Sequence, residues 1–95
     1  MSIKILIADD YKVMREGLCS LIESLENMEV VGEAENGRSV VSMARELMPD
    51  IVIMDIAMPG LNGIMAARLI SSDMPQVKIL ALSMHNERQL VLEIF

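Results

Sequence analysis

The stretch Pro49-Asp50-Ile51-Val52-Ile53-Met54-Asp55 decides the fold. Ile51 to Met54 are apolar without a break, so neither side of a period-two pleat is left for water. A strand of that kind lies inside a parallel sheet with helices on both faces. Pro49 stops the helix before it. Asp55 is the first polar residue at the strand's carboxyl end, whereas Asp50, at the opposite edge of the sheet, reads as structural.

Working outward, three more strands fall at Ile3 to Ala8, Glu29 to Ala34 and Val77 to Leu82, alternating with helical patterns. Met14, Leu18, Leu21, Ile22 and Leu25 share one face of a first helix; Val40, Val41, Ala44, Leu47 and Met48 share one face of a second. A third helix runs from Gly63 to Ser72, with Pro75 beyond it. Each crossover is long enough to join parallel strands. The second strand, with Glu29, Gly32 and Glu33, reads as an edge. The fourth is apolar enough to be interior, yet no further strand remains to flank it. Asn36-Gly37 resembles a hairpin turn, but the helical period that follows makes Asn36 a helix start. Near the end, Asn86 is expected to cap a fourth helix, with Gln89 at the capping-box position and Leu90, Val91, Ile94 and Phe95 as its apolar stripe. That helix has no Gly, Pro or basic turn to finish it. The expectation is therefore one domain over residues 1–95, incomplete at the C-terminus and with no output domain.

Composition narrows the function. A chain of 95 residues holds one small domain, and 53% hydrophobic residues exclude disorder. A net charge of −6 with eight Lys plus Arg argues against a nucleic-acid or membrane-surface footprint, and two aromatic residues offer no platform for bases. Cys19 is alone, so no internal disulfide forms, and its apolar neighbours make it a buried or half-buried thiol. The methionines read as packing. No stretch has the length of a signal sequence or a membrane span, which points to the cytoplasm.

In open parallel sheets, ligands bind beyond the carboxyl ends of the strands. There the sequence places Asp9 and Asp10, Asp55, and Ser83. Three carboxylates that converge repel one another and call for a cation. Mg2+ suits an oxygen-only set with positions left open for a phosphoryl group. One carboxylate of such a set is a nucleophile able to form an aspartyl phosphate, and Asp55, ending the most buried strand, is the best placed. An N-cap role alone would explain one aspartate before Tyr11 but not three. His85 reads as exposed, since hard-ion sites do not favour imidazole.

The opening Ile-Leu-Ile-Ala-Asp9-Asp10, the Val31 to Gly37 run, the segment from Pro49 through Asp55 to Gly63, and Leu82-Ser83-Met84-His85 together resemble the receiver domain of two-component response regulators. Arg15-Glu16-Gly17-Leu18 and Ser83-Met84-His85 are most similar to the subfamily in which a helix-turn-helix DNA-binding domain of the NarL, FixJ or LuxR type follows. The resemblance implies a flavodoxin-like α/β fold, a doubly wound parallel sheet of order 2-1-3-4-5, here lacking the fifth strand and fifth helix. It implies a histidine kinase as partner and Asp55 as phosphoacceptor. It also implies Mg2+ on Asp9, Asp10, Asp55 and the Ala57 backbone carbonyl, Ser83 as the switch hydroxyl, and DNA as a partner of the full-length protein. Two departures stand out: the family's lysine at the end of the fifth strand has no counterpart, and Ala57 stands where Asn is common. Lys4 and Lys78 fall at the wrong edge of the sheet and Lys12 in the first turn of helix one.

Asp55 would be consumed and not turned over, so the chain is not expected to be an enzyme. A rival reading is a phosphorylation-independent interaction module that uses the helix-four face. A nucleotide binder fails for want of a Gly-rich loop after the first strand. An unpaired fourth strand would favour a homodimer or a strand-swapped oligomer.

Overall fold

A computed structural model of the chain describes residues 2–55, 63–86 and 89–94, with side chains as far as Leu82. The elements are β1 (Ile3–Ala8), α1 (Lys12–Glu23), β2 (Met28–Ala34), α2 (Gly37–Leu47), β3 (Ile51–Asp55), α3 (Gly63–Asp73), β4 (Lys78–Asn86) and β5 (Gln89–Ile94). They form one sheet of order β2-β1-β3-β4-β5. The first four strands are parallel and β5 is antiparallel to β4. The doubly wound α/β sheet is thus as expected, with β2 at its edge and β1 and β3 interior.

Side-chain alternation sorts the core into two layers. Leu6, Ala8, Val52, Met54 and Ile79 point to the face covered by α2 and α3, where they meet Val40, Val41, Ala44, Ala66, Ala67 and Ile70. Ile5, Ile7, Ile53 and Leu82 point to the other face, where Ile22 of α1 covers them, with Leu18 and Cys19 beside it. Asn36 starts α2 as read, its Oδ1 accepting the Ser39 amide at 2.8 Å. Asp50 is structural as read and ties three strands at the amino-terminal edge. Its carboxylate accepts the Lys4 amide at 2.8 Å, its own amide donates to the Lys4 carbonyl, and its carbonyl accepts from Lys78.

Three expectations are corrected. The stripe predicted for α1 is rotated: Met14, Leu21 and Leu25 are exposed, and the sheet-facing set is Arg15, Leu18, Cys19 and Ile22. That set has the same helical spacing, and it is selected because Arg15 meets the Asp9 carbonyl just past β1 and the Glu33 carboxylate on β2. Met48 is likewise exposed, since it leaves α2 in a left-handed C-cap at φ 47°. The third concerns residues 86–95. Asn86 ends β4 instead of capping a helix, and Gln89 to Ile94 form β5. The two-residue link between them can join only antiparallel neighbours. Pairing satisfies the β4 edge whose bare amides and carbonyls had suggested strand swapping. The helix-four face of the rival reading therefore has no helix among the described residues.

Candidate functional site

Register brings the acidic residues together. Ala8 of β1 pairs with Met54 of β3, so the next residues on each strand, Asp9 and Asp55, emerge side by side. Asp10 follows where the chain turns into α1. One carboxylate oxygen from each of Asp9, Asp10 and Asp55 lies within 4.8 Å of the other two. Asp9 is buried, Asp55 half-buried and Asp10 exposed, so the cluster opens to solvent on one side.

Asp9 is held on every side. Its amide donates to the Ala34 carbonyl at the end of β2 at 3.0 Å. Its Oδ1 accepts the Tyr11 amide at 2.8 Å. Tyr11 is the residue that starts α1 and has no side-chain cap of its own, so the capping carboxylate is Asp9 and not Asp10. Burial pushes the Asp9 pKa above the usual aspartate range; the Tyr11 amide opposes that, the charges of Asp55 and Asp10 add to it, and Arg15 opposes it. A cluster whose buried member resists ionisation is one that gains from a bound cation. Three carboxylates at this spacing, with a solvent-facing side for waters, fit a hard divalent ion with oxygen preference.

The remaining expectations divide. Asp55 pairs in register with Leu82, which puts Ser83 one position beyond, at the same end of the sheet. Ala57 lies outside the described residues. The side chains of Ser83 and His85 do too. Lys12 pairs with Glu16 at 3.8 Å and is solvent-exposed, while Lys4 and Lys78 sit at the far edge beside Asp50, all as expected. Cys19 is half-buried, and burial first, then Glu33, pushes its thiol pKa up, as suits an unreactive thiol. A groove of about 500 Å³ between α2 and α3, lined in part by Arg38 and Arg45, contains none of the three carboxylates.

Sequence reasoning missed Arg15 and Glu33. Arg15 is buried, its Nη1 donating to the Asp9 carbonyl at 2.8 Å and its Nε to Glu33 at 3.1 Å. Its place three, four and seven residues before Leu18, Cys19 and Ile22 is the signal that could have found it.

Comparison with known proteins decides the family. The family model described as response regulator receiver domain matches residues 5–95. The chain belongs to the receiver domain family. The receiver is 45% identical over 91 residues to the transcriptional regulatory protein LnrK of Bacillus subtilis, covering 96% of this chain and 41% of LnrK. Among solved structures, it superposes on the response regulator domain of Thermotoga maritima CheB with a TM-score of 0.85 at 41% identity. That match covers 93% of this chain and 65% of that domain's chain. It also matches RcsB of Salmonella enterica serovar Typhimurium, solved on promoter rprA with a phosphomimetic. There the TM-score is 0.83 at 29% identity, over 90% of this chain and 44% of that one. The receiver thus spans about two fifths of LnrK. No helix among the described residues is long and apolar enough to cross a membrane.

Proposed function

We propose that this receiver domain accepts a phosphoryl group on Asp55 from the phosphohistidine of a sensor histidine kinase. The observation that carries the reading is the meeting of Asp9, Asp10 and Asp55 at the carboxyl end of the sheet. A carboxylate oxygen of Asp55 attacks phosphorus; the new oxygen–phosphorus bond forms as the donor's nitrogen–phosphorus bond breaks, and the histidine leaves as a neutral imidazole once protonated. Asp9, Asp10, Asp55 and the Ala57 carbonyl would hold Mg2+, which when bound offsets charge on the transferring group. Asp9 anchors the turn that carries Asp10, and Asp55 supplies the nucleophile. Ser83, one position past the residue paired with Asp55, is the hydroxyl that would turn toward the phosphoryl group. The lysine at this end of the sheet among the described residues, Lys12, is solvent-exposed and paired with Glu16 at 3.8 Å, so the charge that such a group brings is left to the cation.

The subfamily reading, NarL, FixJ or LuxR type, rests on Arg15-Glu16-Gly17-Leu18 and Ser83-Met84-His85. It is supported by LnrK's description as a transcriptional regulator and by the promoter-bound RcsB structure. On that reading the full-length protein works in the cytoplasm, and phosphorylation of Asp55 controls DNA binding by a domain outside this chain. Asp55 is consumed in each event, so the domain itself is a substrate and not an enzyme.

The test is intact-mass measurement after incubation with a small acyl phosphate and Mg2+, for the wild type and Asp55→Asn. One phosphoryl adduct on the wild type and none on the variant is expected. An equal adduct on both removes Asp55 from the role; none on either overturns the phosphoacceptor reading for this chain.

A further inference from the structure

The Asp9–Asp10 peptide is the point from which two of the three clustered carboxylates diverge, and a buried guanidinium grips it. Arg15 donates from Nη1 to the Asp9 carbonyl at 2.8 Å, while its own amide donates to the Tyr11 carbonyl at 3.0 Å. The Tyr11 amide in turn donates to Asp9 Oδ1. These three bonds close a ring around the turn between β1 and α1. The other end of the guanidinium reaches β2: Nε donates to Glu33 at 3.1 Å and Nη2 stands 3.6 Å from Glu35. Ala34, between those two glutamates, accepts the Asp9 amide. Both polar groups of the Asp9 backbone are therefore tied, directly or through Arg15, to the carboxyl end of β2.

A guanidinium this buried is costly unless its charge and its donors are met. The Arg15 side chain is only 9% exposed. If it served merely to pin α1 to β2, the bonds to Glu33 and Glu35 would suffice. Its bond to the Asp9 carbonyl adds nothing to that link and acts on the acidic turn alone. We infer that Arg15 is a positioning residue that fixes the Asp9–Asp10 peptide so that the Asp9 and Asp10 carboxylates converge on Asp55. This rests on the cation-binding reading above, but it makes a claim about the turn that holds without the cation. Lysine carries the same charge as a single compact point and lacks the planar fork that meets the Asp9 carbonyl and Glu33 at once.

The experiment compares the wild type, Arg15→Lys, Arg15→Met and Glu33→Gln on two readouts beside the melting temperature. One is Mg2+ affinity by titration calorimetry; the other is hydrogen exchange of the Tyr11 amide relative to that of Ile7. Both Arg15 variants are expected to weaken Mg2+ about tenfold, the usual effect of losing a group that orients a metal ligand, and to speed Tyr11 exchange. Glu33→Gln keeps an acceptor and leaves the Asp9 bond, so it lowers the melting temperature with Mg2+ affinity and Tyr11 exchange near wild type. Unchanged affinity and exchange in Arg15→Met overturn the role while leaving the cation site intact. Equal losses in Glu33→Gln overturn it in favour of a purely structural ion pair. A wild type that takes no Mg2+, with Tyr11 still freed by Arg15→Met, overturns the cation reading and supports the positioning role.

Discussion

Replacing Asp9 by Asn should change the domain's stability in opposite directions with and without Mg2+. The variant keeps the Oδ1 that accepts the Tyr11 amide, so the start of α1 is preserved and only charge is removed. At the 4.8 Å limit for oxygens of the cluster, two unit charges repel by about 0.9 kcal/mol in a water-like medium and by more where the dielectric is lower. Asp9 faces two such partners, giving about 2 kcal/mol before screening and on the order of 1 kcal/mol at moderate salt. In a chelator at neutral pH, Asp9→Asn should therefore melt higher by about 4 to 8 °C per kcal/mol recovered. With Mg2+ at a hundredfold above its Kd, the wild type gains about 2.7 kcal/mol. The variant, short of one ligand, gains far less, so the ranking reverses. The pH dependence carries its own sign. The Asp9 pKa is raised in the folded protein, so the penalty is present above that folded pKa. It is relieved as pH falls toward the ordinary aspartate value, because the native state takes up the proton before the unfolded chain does. The gap between variant and wild type in chelator should close over that interval. Thermal unfolding followed by circular dichroism, in chelator and in Mg2+, at two salt concentrations, reads all of this. A variant that melts below the wild type in chelator, or a ranking indifferent to Mg2+, would refute the claim that these carboxylates repel across one site.

Two substitutions test the scaffold. Asn36→Ala removes the side-chain acceptor for the Ser39 amide and should cost about 1 kcal/mol; Asn36→Ser should restore most of the loss in the same thermal assay. Gly32→Ala builds a Cβ 2.7 Å from Met43 Cε, 2.9 Å from Leu47 Cδ1 and 3.2 Å from Leu6 Cδ1. Met43 can swing aside but fully buried Leu6 cannot, so a loss of about 1 to 3 kcal/mol is expected in urea unfolding, partly recovered by adding Met43→Ala.

The parallel sheet and its acidic end were legible because each rests on a local rule. The unbroken apolar run of Ile51 to Met54 admits only a doubly covered strand, and polar residues at carboxyl ends of neighbouring strands must then meet. Asp50 and Asn36 were equally readable, since one edge position and one helix start each leave amides that a short polar side chain satisfies. The α1 face was not, because two stripes of the same spacing overlap at Leu18 and Ile22. Hydrophobicity favours the one through Met14, Leu21 and Leu25. The structure selects the one through Arg15, since a guanidinium that reaches Asp9 and Glu33 buries more favourably than its sequence rank implies. That choice depends on a partner eighteen residues away on β2, which periodicity does not see.

The same reasoning applies to residues 89–94. Leu90, Val91, Leu92 and Ile94 satisfy a helical stripe and a strand about equally, so their neighbours decide. Here β5 closes the outer edge of β4, setting Ile94 opposite Leu80, Leu92 opposite Leu82 and Val91 opposite Ser83. Pairing of this kind gives the backbone groups on that side of β4 their partners, and a buried or half-buried backbone group left without one outweighs a modest helix propensity. Ser83 therefore has strand partners on both sides: β3, through the ladder that ends at Asp55 and Leu82, and β5, through Val91.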